Sequence, residues 1–408
     1  MSYQLPASAE RDQFIGFREW WRSTRNIFRK HRAVLRYNEQ PTAILGGFMK
    51  SHEVITAYIE KETGQKIGVY LAKAEWPEVS GKGRFRFWLR WSLFSIPLMW
   101  KCLDSPRRSN LALLIRECAD TALFMHWLRK TGIRHLYDFL PYEIDSNLIA
   151  LCCRQRGIRV TKIPSSGPLA THNRIMLGDE VVFTTPYQQE EFEKYTSTIR
   201  IPTVLKWGPE KAYTYISLYR PTRPSTPPKS LAFYSHGSWL RLSEDHSADG
   251  LNIASAEHQL LCDLRSFIAA HPDFQLTVFV HPRERAKEKW DATVAHYETL
   301  LGRGNFQFGP MGTPTSSAFH YADIALAAFS TINYERLFCG YKTLIGNYDI
   351  PGFPHEGSQL RAICFDSYVK MEALIMRVSE ISHDDFFHTF NLEGYRYDQF
   401  PGYAAGRN

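Results

Sequence analysis

The sequence predicts an α/β fold built from two Rossmann-like domains. Three observations carry that expectation. Short apolar runs alternate with amphipathic helical stretches along most of the chain, the pattern of parallel strands joined by crossover helices. Residues 219–229 hold four prolines and no apolar period, which reads as a linker between two such halves. The chain has 408 residues, more than one hydrophobic core usually serves. The expected boundaries are therefore a first domain over 1–218, a linker over 219–229 and a second domain over 230–365. A helical stretch and tail over 366–408 is read as crossing back to the first domain.

In the first half, 41–45 reads as a strand ahead of Gly46-Gly47. Those glycines permit either a tight turn or a close ligand approach to the next helix. That helix covers 50–62, with Ser51 as its N-cap, and a strand at 67–71 completes a βαβ unit. Residues 110–131 read as a helix, with Leu111, Leu114, Ile115, Cys118, Ala122 and Met125 on one side. Strands at 135–139, 157–163 and 180–184 follow, and a helix begins at Pro186.

In the second half, 231–234 is a strand that runs into Ser235-His236-Gly237-Ser238. A helix over 252–270 precedes the strand 276–280, which ends in His281-Pro282. A helix through Trp290 to 301, short elements at 305–308 and 315–321, and a strand at 323–329 come next. The last strand ends in Ser330-Thr331, a helix over 333–339 closes on Gly340, and 342–345 is the final strand.

Composition limits the function. Hydrophobic residues are 44% of the chain, as in a globular protein. The net charge of +7 is modest for this length and gives no ground for a nucleic-acid partner. The seven cysteines form neither CxxC pairs nor a zinc-spaced cluster, which fits a reducing cytoplasm. A signal peptide and a transmembrane run are not expected.

Two basic-aromatic stretches stand apart. Residues 9–35 interleave seven Lys and Arg with Phe14, Phe17, Trp20, Trp21 and Phe28. Residues 82–108 place Lys82, Arg84, Arg86, Arg90, Lys101, Arg107 and Arg108 around an apolar run edged by Trp88, Trp91 and Trp100. Each reads either as a packed structural element or as a contact with an anionic membrane surface.

Several motifs are missing: GxGxxG with a following acid, GxxxxGK[ST], GxSxG and HExxH. No DxD pair lies in a suitable loop, so neither a metal nor another cofactor is expected. The candidate site is instead the set of polar strand ends in the second domain, because open α/β sheets bind ligands along the carboxyl edge. Gly237 and Ser238 offer backbone amides and Arg241 a guanidinium for a phosphate. His281 offers a proton or hydrogen bond to a departing phosphate. Ser330 and Thr331 open a helix, and Glu335 on its first turn offers an acceptor for a ribose hydroxyl. In the first domain, Asp138, Glu143 and Asp145 cluster after a strand end. Helix capping accounts for one of them, and Glu143 or Asp138 is the candidate general base for an acceptor hydroxyl.

The run from His281-Pro282 to Ser330-Thr331-Ile-Asn-Tyr-Glu335 and Gly340-Tyr-Lys342 resembles the C-terminal half of GT-B glycosyltransferases. It is most similar to the bacterial sialyltransferase-like, Kdo-transferase-like and capsule-polysaccharide groups that use CMP-activated sugars. The resemblance covers about 230–350, and Tyr142-Glu143 extends it loosely over 130–195. It implies a GT-B fold with an interdomain cleft, the nucleotide on the second domain and the acceptor on the first. It also implies that His281, Pro282, Ser330 and Thr331 hold the CMP phosphate, with Glu335 on the ribose. The implied activity is metal-independent, inverting transfer of a sialic-acid-like or Kdo-like sugar from a CMP-sugar donor. The acceptor would be a glycan, a lipid-linked glycan or a protein in bacterial surface-carbohydrate synthesis, at the inner face of the cytoplasmic membrane. CDP-glycerol and CDP-ribitol phosphotransferases share a similar His-Pro and Ser-rich pair. A non-catalytic sugar-nucleotide-binding protein of the same fold is a further alternative.

Overall fold

The structure is a computed structural model. It describes residues 15–28, 42–45, 52–67, 69–71, 81–104, 132–139, 144–164, 176–194, 199–208, 226–241, 248–312, 315–328, 330–348, 355 and 357–396, with seven helical positions between 112 and 128. The chain forms two compact units. The first comprises 1–164, 169–182 and 192–205; the second comprises 165–168, 183–191 and 206–408.

The first unit holds β1 (Thr42–Leu45), β2 (Val69–Leu71), β3 (His135–Asp138), β4 (Arg159–Lys162), β5 (Met176–Leu177), β6 (Glu180–Phe183), β7 (Ile199–Arg200) and β8 (Thr203–Lys206). Six of these make one sheet in the order β2-β1-β3-β4-β6-β8, and β5 pairs with β7 in a separate ladder. Ala43, Leu45, Leu136 and Val160 put one face of the sheet against Ile149, Ala150 and Cys153 of the helix Ile144–Arg154, and against Phe124, Met125 and Leu128.

The opposite face carries a buried polar cluster beside Ile44 and Tyr137. His135 Nε2 bonds the Thr161 hydroxyl at 2.8 Å and His135 Nδ1 meets the Gln65 carbonyl at 3.3 Å. Burial, helped by Arg159, pushes the His135 pKa down to about 3. Helices Ile15–Phe28 and Gly81–Asp104 pack against each other, with Trp20 stacked on Trp91 at 6.2 Å. The apolar stretch 91–100 is thus part of one helix that contains Pro97.

The second unit holds β9 (Ser230–Tyr234), β10 (Gln275–Phe279), β11 (Gln307–Phe308), β12 (Ile324–Ala327), β13 (Thr343–Gly346) and β14 (Cys364–Phe365). All five pairings in its sheet are parallel, in the order β11-β10-β9-β12-β13-β14. Both faces are covered, so the strands read as unbroken apolar runs. Leu231, Phe233, Leu276, Val278, Ile324 and Leu326 join the core on one side. Ala232, Tyr234, Phe279, Ala325 and Ala327 join a smaller core on the other, with Phe319, Phe338 and Tyr341.

Several boundaries differ from expectation. Met371, Ile375 and Val378 of Tyr368–Ser379, and Phe386 and Phe387 of His383–Thr389, belong to the second unit's core rather than returning to the first unit. Tyr187 joins the same core and stacks on Tyr334 at 6.0 Å, so Phe183–Glu191 belongs to the second unit. Of the linker, 219–225 lies outside the described residues. Thr226 is held by the Asp323 carboxylate at 3.0 Å.

Candidate functional site: strand ends of the second sheet

In sequence numbering the second sheet runs third, second, first, fourth, fifth, sixth. The order reverses between β9 and β12, and a switch of this kind opens a crevice outside the carboxyl ends of the strands. Phe279 pairs with Tyr234, and Leu326 with Phe233, so β10, β9 and β12 stop nearly level. Adjacent strands lie about 4.8 Å apart, which puts the ends of β10 and β12 roughly 10 Å from each other across β9. The segments leaving these three strands are His281-Pro282, His236-Gly237-Ser238 and Ser330-Thr331, which is where sequence reasoning placed them.

The first two loops are in contact. Gly237 adopts φ +66°, the left-handed region that favours glycine. A Cβ built there would come within 3.1 Å of the His281 Cβ and 3.3 Å of its Nδ1. The backbone amide of Arg283 donates to His281 Nδ1 at 3.2 Å. In a neutral ring this leaves the proton on Nε2, which is then a donor. Pro282 is exposed beside it.

Two buried carboxylates set these loops, and neither was assigned a role from sequence. Glu284 is fully buried. Its Oε2 accepts from the His281 amide at 2.6 Å, while the His281 carbonyl accepts from the Glu284 amide at 2.9 Å. This reciprocal arrangement has the logic of a capping box. Glu284 Oε1 accepts from Trp239 Nε1 at 2.6 Å and from the Tyr297 hydroxyl at 2.9 Å. The same side chain thus fixes His281 and the residue after Ser238.

Glu257, on the helix Ala248–Ala270, accepts from the His236 amide at 2.7 Å and from the Ser235 hydroxyl at 3.3 Å. Burial pushes its pKa up to about 7, and Glu284 adds to the rise. The His236 amide and the Ser235 and Ser238 hydroxyls oppose it. The spacing of Glu284 from His281 offers a signal at sequence level, since a Glu three residues on can cap the turn. Glu257 lies within an ordinary helical period and offers none.

Around β12, Ser330 and Thr331 are half-buried, and Thr331 precedes the helix Ile332–Phe338 without a side-chain cap bond. The helix itself is buried throughout. Glu335, the residue expected on the ribose, lies on this helix at 3% exposure. Arg336 is structural: its guanidinium donates to the carbonyls of Phe319 at 2.7 Å and Ala322 at 2.6 Å and lies over the Tyr341 ring. Ser238 begins the short helix Ser238–Arg241 and is buried. Arg241 ends that helix, and its side chain is outside the described set.

The candidate base in the first unit fares differently. Asp138 is fully buried at the end of β3, with its Oδ2 2.6 Å from Lys162 Nζ and also bonded to the Ser146 hydroxyl. Lys162 is equally buried and donates to the Ser146 carbonyl at 3.2 Å. A carboxylate so committed anchors β3, β4 and a helix start to one another, which accounts for Asp138 without a proton-transfer role. Glu143 lies outside the described residues, as do Gly46 and Gly47. Among the described residues, no group of three or more His, Cys, Asp or Glu side chains is placed to hold a metal ion.

No family model matches the chain, and no curated protein matches it. Among solved structures it is similar to a UDP-GlcNAc 2-epimerase from Neisseria meningitidis bound to UDP-GlcNAc. That match has a TM-score of 0.50 and 12% identity over 89% of this chain and 96% of the other. It is also similar to MurG from Acinetobacter baumannii, with TM-score 0.43 and 12% identity over 87% and 94% of the two chains. A further match is an α,α-trehalose-phosphate synthase from Burkholderia vietnamiensis, with TM-score 0.46 and 10% identity over 88% and 96%. At these identities the likeness is one of fold: two parallel-sheet α/β domains of GT-B type.

Proposed function

We propose that the chain is a glycosyltransferase whose nucleotide-sugar donor sits on the strand ends of its second domain. The observation that carries this reading is the convergence of Gly237, His281 and Ser330-Thr331 on the switch point of a Rossmann-ordered sheet. Gly237 allows the His281 ring to lie flush against the β9 loop, and Glu284 holds both the His281 amide and the Trp239 indole. His281 Nε2, Ser330 and Thr331 are donors suited to phosphate oxygens.

The finer reading is a CMP-activated sialic-acid-like or Kdo-like sugar, and it is supported by the resemblance through His281-Pro282 and Ser330-Thr331. An acceptor hydroxyl would attack the anomeric carbon as the bond from that carbon to the phosphate oxygen breaks. CMP leaves with the electron pair, the hydroxyl proton passes to a carboxylate, and configuration inverts. Glu143 is assigned that proton, because Asp138 is committed to Lys162. The acceptor is a hydroxyl of a glycan, lipid-linked glycan or protein.

Release of CMP from CMP-sugar donors in the presence of candidate acceptors tests the reading. His281→Ala is expected to lower turnover by roughly tenfold or more, the low end of a general-acid contribution, with melting unchanged. Unchanged turnover would remove His281 from the mechanism. Transfer from UDP-sugars alone would replace the CMP assignment.

A further inference from the structure

The helix Gly81–Asp104 leaves five large apolar side chains in solvent: Phe85 at 54% exposure, Leu89, Leu93 at 66%, Ile96 and Trp100 at 61%. Their spacings are four, four, three and four residues. At about 100° per residue they fall within an arc of roughly 80°, a single stripe about 22 Å long. Trp91, Ser92, Ser95 and Met99 occupy the arc to one side of the stripe and are buried. The stripe is therefore not the face by which this helix packs.

The helix Ile15–Phe28 borders it. Phe17 packs edge-on against Trp100 at 5.9 Å, and Trp88 Nε1 donates to Thr24 at 3.3 Å, so the two helices run antiparallel. Glu19 and Ser23 are buried, whereas Trp21, one turn on from Phe17, is 65% exposed. Arg86 and Arg90, next to the stripe, are exposed, as are Arg18 and Arg22 on the shorter helix. Together the two helices contain eight Lys or Arg and two acidic residues. That net of +6 compares with +7 for the whole chain.

We propose that this paired-helix face docks on an anionic lipid bilayer, lying in the interfacial plane with the stripe and Trp21 inserted at headgroup depth and the arginines on lipid phosphates. An apolar stripe rimmed by Arg, with Trp at its margins, has the chemistry of an interfacial helix. No described helix is long and apolar enough to cross a membrane. Charge separates this occupant from a second copy of the chain, which would set +6 against +6. The proposal is independent of the nucleotide site. It gives a surface role to the basic-aromatic stretches and narrows the apolar contact: of Trp88, Trp91 and Trp100, only Trp100 belongs to the stripe.

Co-sedimentation of the full chain with phosphatidylcholine vesicles, with and without phosphatidylglycerol, tests it. Binding is expected at low salt on the phosphatidylglycerol vesicles and is expected to weaken as salt rises. Arg86→Gln/Arg90→Gln is expected to weaken it roughly 30-fold, at about fivefold per basic side chain. Leu93→Ser/Trp100→Ser is expected to abolish it. Both variants should keep any shift produced by nucleotide, and Arg86→Gln/Arg90→Gln should keep the melting temperature of the parent, because those two side chains are exposed, whereas Leu93→Ser/Trp100→Ser also gives up the Phe17 edge contact. Absence of binding at low salt would overturn the proposal, and so would binding indifferent to both double variants. A dimer in light scattering that Leu93→Ser/Trp100→Ser dissolves, with no vesicle binding, would show the face to be a self-contact instead.

Discussion

At the scale of single residues, the site depends on groups that shape its loops. Gly237 is one. Replacing it with alanine adds a Cβ both in a left-handed backbone and against the His281 ring. Gly237→Ala should therefore destabilise the protein by about 1–3 kcal/mol in a denaturant titration and also weaken nucleotide binding, because the ring is displaced.

Glu257 is another. Its carboxyl titrates near 7 in the fold against an ordinary value of 4.5. The folded protein therefore binds its proton more tightly than the unfolded chain does. Below about pH 4.5 both states are protonated and the contribution is fully present. As pH rises through 7 it is lost, by on the order of 3 kcal/mol. Buried His135, His355 and His383, all lowered to about 3, act in the opposite sense and cost stability as pH falls below 6.5. Glu257→Gln keeps an acceptor for the His236 amide and removes only the first effect. Wild type should thus lose stability relative to Glu257→Gln between pH 5 and 8, as read by thermal melts. Parallel pH profiles for the two proteins would contradict the assignment.

At the scale of elements, the strands that build the site were legible because a parallel strand covered on both faces is a continuous apolar run. β9, β10 and β12 appear within a residue or two of where 231–234, 276–280 and 323–329 were expected. The polar residues that end them were legible for the same reason. The strands that sequence missed are β5, β7, β8 and β14. Three have only two residues, and β8 is largely exposed, so none has an apolar signature.

Cross-strand chemistry was equally out of reach. Asp138 and Lys162 face each other in register on β3 and β4, although 24 positions separate them in sequence. That pairing makes Asp138 a fastener of elements. Asp138→Ala should cost about 3–5 kcal/mol, since it strands a fully buried lysine. Lys162→Met in the Asp138→Ala background should recover part of that loss. A stable but inactive Asp138→Ala protein would instead restore the general-base reading.

At the scale of the whole molecule, the alternation of strands and helices gave the two α/β domains, but the chain enters the second unit for the last time at 205/206, ahead of the proline-rich segment read as the linker. The destination of the C-terminal helices was not legible. An amphipathic helix records that it has a buried face but not which core receives it, and Met371, Ile375 and Phe386 chose the second. The location of positive charge was visible in the sequence, while the exposed stripe of Phe85, Leu93 and Trp100 required the helix to be seen packed.

The nucleotide assignment rests on the second domain alone, so it is tested there most directly. The decisive measurement is the melting temperature of the full chain with CMP, CDP, UDP and GDP, since a ligand that binds only the fold raises stability by mass action. The account predicts stabilisation by cytidine nucleotides that disappears in His281→Ala, with the unliganded melting temperature unchanged. Stabilisation by UDP or GDP alone, a shift that survives His281→Ala, or no shift with any nucleotide would contradict it.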